Sequence, residues 1–201
     1  MNYNTKETIT KTSSKSLTMA TFSQSSLDNG SNCSLAAITR VLYYYNKNGY
    51  TKISNDYKTI YSKVKKIAKK YGYTSRDGIS ATKINNVVND VLKDYGYSKS
   101  NCKGIYVWNF KNQVKKEIDN NRPVIMNIAR GYYGNHTVTV CGYAIYKRSS
   151  KKSKISSNKT YNMIQVYDGW TTYKRFIDYS AFAYDLVTSG FGSFNTVTMK
   201  K

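Results

Sequence analysis

The stretch Gly30-Ser31-Asn32-Cys33-Ser34-Leu35-Ala36-Ala37-Ile38-Thr39-Arg40-Val41-Leu42-Tyr43-Tyr44-Tyr45 constrains the chain more than any other. Small polar residues give way to an amphipathic segment. In it Leu35, Ile38, Val41, Leu42 and Tyr45 recur at helical spacing and define one buried face. Asn32 or Ser31 suits the N-cap, which places Cys33 at or just before the first helical turn. Unpaired N–H groups and the positive end of the helix dipole favour a thiolate over a thiol there. Cys33 is therefore a candidate nucleophile. A lone cysteine in a tight turn is more commonly a small buried side chain, and the rest of the chain must decide between the two.

The first half of the chain continues in helical period. Residues 55–70 place Tyr57, Ile60, Tyr61, Val64, Ile67 and Ala68 on one side and lysines on the other. Ser80 is expected to cap a third helix reaching about Asp94, with Ile84, Val87, Val88, Val91 and Leu92 buried. Ahead of these, 1–17 is polar and reads as a loose arm, 17–22 reads as a short strand, and 18–201 forms a single domain. From 104 onward the period changes. Strands are expected at 104–108, 123–128, 136–146, 163–167, 173–177 and 191–199, with a short basic helix at 110–120 and a basic loop at 147–160. Helices followed by hairpin-connected strands indicate an α+β fold with a cleft between its two sides.

The 201 residues carry a formal net charge of +21, which raises affinity for any polyanion. The lysines are spread over nearly every segment, and no fold signature of a nucleic-acid binder accompanies them, so the expectation is non-specific contact with anionic polymers. No apolar run is long enough to span a bilayer. The first 20 residues lack an apolar core, so the chain as given carries no signal peptide; a removed leader would fit a secreted or cell-surface protein. The cysteines, Cys33, Cys102 and Cys141, form no CxxC pair, which argues against a zinc site. Cys102 and Cys141 are either two buried thiols or one disulfide.

A thiol nucleophile needs a base, and the base needs an orienting group. The chain has one histidine, His136, at the start of the most strongly alternating strand. Asp168 ends the next strong strand. If the two strands are hairpin neighbours, both residues reach the same sheet edge, where the carboxylate can bond a ring nitrogen. Trp170, two residues on, is placed to cover that pair. Gln24, before the loop to Cys33, offers an amide which with the Cys33 N–H would form an oxyanion hole. Asn29 and Asn32 are alternative amides. Each of these residues alone has an ordinary structural reading; their conjunction points to catalysis.

The order and context of Phe22-Ser23-Gln24, Asn32-Cys33-Ser34-Leu35-Ala36-Ala37, Asn135-His136-Thr137-Val138-Thr139-Val140-Cys141-Gly142-Tyr143 and Asp168-Gly169-Trp170 resemble the papain-like cysteine peptidases. The bacterial branch of bacteriocin-leader peptidases and staphopains is the nearest likeness. The resemblance implies helices packed on an antiparallel sheet or half-barrel, Cys33 as nucleophile, His136 as general base, Asp168 as orienter, Gln24 as oxyanion donor and Trp170 as shield. It implies a protein or peptide substrate, no metal or other cofactor, and a monomer. Ser34 departs from the family pattern, which has Gly or Trp after the cysteine. The same Cys–His–Asp order serves transglutaminases, acyltransferases and deamidases, and a non-catalytic basic binding module on this scaffold is a further alternative.

Overall fold

From Ser34 to Leu42 every residue of the first helix is buried. In the computed structural model, which describes residues 6–106, 109–152, 155–179 and 191–201, that helix lies between a helical layer and a sheet. The elements in order are β1 (Lys6–Ser16), α1 (Cys33–Lys47), α2 (Tyr57–Lys69), α3 (Ile84–Asp94), β2 (Asn101–Ile105), α4 (Lys116–Asp119), β3 (Val124–Ala129), β4 (His136–Lys152), β5 (Ile155–Tyr167), β6 (Arg175–Asp178) and β7 (Phe191–Thr198). The architecture is α+β and papain-like. α2 and β4 pack on opposite sides of α1, and α3 bridges α2 and β2. This explains why α1 is covered well beyond the single face that its periodicity predicts. Among the described residues no helix is long and apolar enough to cross a membrane.

The sheet is antiparallel, in the order β2-β7-β3-β4-β5-β6, with β1 added to β4. β4 is its spine. Residues 136–140 pair with β3 on one edge, and from Gly142 onward β1 takes over that edge. The handover occurs at a register shift between Val140 and Gly142. A side chain at 142 would place Cβ 2.6 Å from the Lys15 carbonyl, so only glycine lets β1 approach.

Several expectations from the sequence are corrected here. Residues 6–16 are not a loose arm: they form an 11-residue strand, while 1–5 lie outside the described residues. The segment buries little, but its threonines favour extended backbone and the free edge of β4 supplies the hydrogen bonds. Of the basic stretch expected as a loop at 147–160, residues 147–152 and 155–160 likewise continue the β4–β5 ladder, which is paired from Thr139↔Tyr167 out to Lys152↔Ile155, and 153–154 lie outside the described residues. A strand was also expected at 17–22, and the segment is irregular. Its carbonyls are taken by a side chain instead of a neighbouring strand. Arg40, 1% exposed, donates from Nε to the Ala20 carbonyl at 3.1 Å and from Nη2 to the Phe22 carbonyl at 2.5 Å. Its guanidinium also lies over the Phe22 and Tyr167 rings. Of the strand expected at 104–108, the structure has Asn101–Ile105, and Val107 and Trp108 lie outside the described residues.

Beneath the cleft a buried polar chain ties α1 to the sheet. Thr137 Oγ1 donates to Asn127 Oδ1 at 3.0 Å, so Ser34 Oγ, 2.7 Å from Thr137 Oγ1, is the donor of that contact. Asn127 Nδ2 then donates to Ser193 Oγ and Asn195 Oδ1 at 3.1 and 2.8 Å. Ser34 thus joins the helix of Cys33 to the strand of His136, which accounts for a hydroxyl at that position.

Burial pushes the Arg40 guanidinium down to about 10, so it still carries its charge at neutral pH. Arg40→Ala is expected to cost about 3 kcal/mol of stability, because two buried carbonyls lose their donors and a void opens. The midpoint of urea unfolding reads the loss.

Candidate active site

The sequence predicts a side-chain cap for α1, and the structure has none. Asn32 occupies the N-cap position but turns inward. Its Nδ2 donates to the Gln24 carbonyl at 2.9 Å, the Asp28 carbonyl at 3.0 Å and the Tyr61 hydroxyl at 3.3 Å. Ser31 Oγ donates to the Arg76 carbonyl at 2.6 Å. The N–H groups of the first turn are therefore left without a side-chain acceptor at the point where Cys33 stands. Asn32 has its amide committed to the loop, which removes it as an alternative oxyanion donor.

Cys33 is partly exposed and lines the same cleft as His136, whose ring acts on the thiol. Burial by itself would push the thiol up. The hydrogen bond and charge of His136, with smaller help from the Thr137 N–H and from Ser34, outweigh it and bring the thiol below its ordinary 9.0. The reciprocal holds for His136. Burial would lower it, but the Cys33 hydrogen bond and charge, the Asp168 carbonyl and the Asp168 charge raise it above 6.5. Each partner thus favours the charged form of the other. The other two thiols are free, buried and inert: burial pushes Cys102 up to about 12 and Cys141 up to about 11. The disulfide alternative for these two is corrected accordingly.

β4 and β5 are hairpin neighbours, and the ladder ends at Thr139↔Tyr167, so His136 and Asp168 do reach one sheet edge. The contact between them differs from the expectation. His136 Nε2 meets the main-chain carbonyl of Asp168 at 2.6 Å, which leaves Nδ1 for the thiol. The carboxylate faces its own turn. Oδ1 accepts from the N–H groups of Trp170 at 3.0 Å and Thr171 at 3.3 Å. Oδ2 lies 2.5 Å from Arg175 Nε in an ion pair without hydrogen-bond alignment. A short polar side chain that closes a turn onto following N–H groups is a common use of Asp, and here it aims the carbonyl at the imidazole.

Gln24 comes to the same turn. Its N–H donates to the Gly169 carbonyl at 2.7 Å, and its Oε1 is buried against Gly169 without a partner. Gly169 has φ +81, and a Cβ there would sit 3.0 Å from Gln24 Oε1. Trp170, 43% exposed, leans on His136 with ring centroids 4.6 Å apart. The sequence reading missed Tyr133, whose ring is stacked on His136 at 5.5 Å with 5° between the planes. Its position in a Tyr-Tyr-Gly turn three residues before the histidine was the available signal.

Cys33, from the start of α1, and His136, from the start of β4, both line a cleft of about 730 Å³. Ser31 and 77–81 form its rim on the helical side, and 127–129, 135–137 and 192–193 form the sheet side. Among the described residues the cleft lining contains one carboxylate, Asp77, and no lysine or arginine. Among the described residues no cluster of histidine, cysteine and carboxylate side chains is arranged to hold a metal ion.

No curated protein matches the chain. The model of the Peptidase_C39 like family matches residues 16–185, a span that holds Gln24, Cys33, His136, Asp168 and Trp170. The chain belongs to the Peptidase_C39 like family, a family of cysteine peptidases.

Proposed function

We propose that the protein hydrolyses peptide bonds through a thioester acyl-enzyme on Cys33. The observation that carries this reading is the placement of Cys33 and His136 in one cleft, where each favours the charged form of the other. The Cys33 thiolate attacks the substrate carbonyl carbon, forming an S–C bond as the electron pair of the C=O moves to oxygen. The oxyanion is held by the N–H groups at the start of α1, with the Gln24 amide as the second donor. Collapse breaks the C–N bond, and the His136 imidazolium gives its proton to the departing amine. His136 then takes a proton from water, which attacks the thioester; the acid leaves and the ion pair is restored. Asp168 orients His136 through its carbonyl, and its carboxylate holds the turn that presents that carbonyl.

The reactive form needs Cys33 deprotonated and His136 protonated. It is lost as pH falls through the lowered Cys33 value and as pH rises through the raised His136 value, which gives a bell-shaped profile. At pH 6, iodoacetamide should alkylate Cys33 roughly 100-fold faster than an unperturbed thiol, and His136→Ala should abolish the advantage. Mass mapping of the labelled protein checks both, with Cys102 and Cys141 expected to stay unlabelled. On any peptide that the protein cleaves, Cys33→Ala should leave no turnover. Full hydrolysis by that variant would sink the proposal.

Asp168→Asn separates the two ways in which this residue can act. It keeps the main-chain carbonyl and an Oδ1 acceptor for Trp170 and Thr171. The expected loss in kcat is under about tenfold, against the ~10⁴ seen where a carboxylate itself orients the histidine. Steady-state kinetics on the variant decides between them.

A further inference from the structure

No carboxylate oxygen is among the hydrogen-bond partners of His136. Nε2 meets a main-chain carbonyl, and the Asp168 carboxylate is engaged by two N–H groups and Arg175. A carbonyl fixes where Nε2 points, but the broad angular tolerance of such a bond leaves the tilt of the ring about it loosely held. The tilt is set by aromatic faces. Tyr133 lies parallel to the imidazole, Trp170 leans on it at 41°, and Tyr133 and Trp170 contact one another with centroids 5.1 Å apart.

The turn that delivers Tyr133 is held in left-handed backbone. Arg130, Gly131 and Gly134 have φ of 64°, 63° and 60°, and the Gly134 N–H donates to the Gly131 carbonyl at 3.2 Å. Arg130 adopts this conformation without the freedom of glycine, so the surrounding structure must enforce it. The result is an edge-to-face pair in which Tyr132 points out, 77% exposed, and Tyr133 is half-buried.

We infer that Tyr133 is a positioning residue: its ring holds the His136 imidazole in the plane that meets Cys33, and its negative face supports the protonated ring. This rests on the reading of His136 as the acid–base partner of Cys33. The other titratable or charged groups around the imidazole are Cys33 from α1 and Asp168 from the segment after β5, with Arg175 of β6 behind Asp168. Arg175 offsets the Asp168 charge, so the aromatic face carries a larger share of the support. Because that face favours the charged ring, its removal lowers the pH at which His136 gives up its proton.

The single histidine provides a clean readout. The imidazole Cε1–H signal of untagged protein is titrated by NMR, and the Cys33 alkylation rate is measured over the same pH range, for wild type and for Tyr133→Leu, Tyr133→Met and Tyr133→Phe. Leu and Met are expected to move the imidazole midpoint down by about half a pH unit and to lose the Tyr133 share of the ring-current shift, while Trp170 keeps its own. Phe keeps the wild-type values. A wild-type midpoint in the Leu and Met variants overturns the inference, even with a uniform fall in rate; if Leu melts out, Met carries the comparison. Should wild-type Cys33 react no faster than a free thiol, the peptidase reading falls, and the NMR titration still decides the ring contact separately.

Discussion

The burial of α1 against β4 is the constraint on which the rest of the structure depends. A helix covered on nearly every side cannot rotate or slide without opening voids in a close-packed interior. Its first residue is therefore delivered to a fixed place. Ser34 and Arg40 add polar restraints to that packing, one toward Thr137 and the other toward the irregular segment before the helix. Cys33 sits at the rim of this contact, where the first-turn N–H groups have no side-chain acceptor. Cys33 and His136 come together because one begins α1 and the other begins the strand on which α1 lies.

The electrostatics of the site are local and do not follow the overall balance. The chain has a net charge of +21, yet among the described residues no lysine or arginine lines its cleft. The nearby Asp168–Arg175 pair is close to neutral as a unit, and one of its members is fully buried. The charged state of the Cys33–His136 pair thus depends on each other's charge, on one carbonyl dipole and on ring faces. Burial alone would favour the neutral form of both groups, and their mutual influence outweighs it.

Much of the arrangement was legible because it is written in local patterns. The period of 3.6 marks α1, α2 and α3, the alternation after His136 marks β4, and the unique histidine left no choice of imidazole. What sequence could not give is partner identity. Asp168 was readable as a strand-end residue beside His136, but whether its carboxylate or its carbonyl meets the ring depends on a turn conformation set by Gly169 and on Arg175 from another strand. Asn32 has the right chemistry for a cap and lies at the cap position, yet tertiary acceptors from Gln24 and Asp28 outcompete the helix end. β1 escaped notice because its pairing depends on the length of β4 beyond β3, a property of the sheet and not of residues 6–16. Arg40 lies off the apolar face of α1, and its burial is explained only by the carbonyls of Ala20 and Phe22 beside it.

The deep burial of Cys102 and Cys141 has a consequence for redox chemistry. A low-lying, accessible thiolate is the form most readily oxidised to a sulfenic acid. Many such thiols are protected by a second cysteine that captures the oxidised sulfur as a disulfide. Here both candidates are enclosed in the core, at 2% and 0% exposure, and cannot act as a resolving partner without unfolding. Recovery of Cys33 after oxidation therefore falls to thiols outside the chain, and the reducing capacity of the surroundings sets how long the site stays competent.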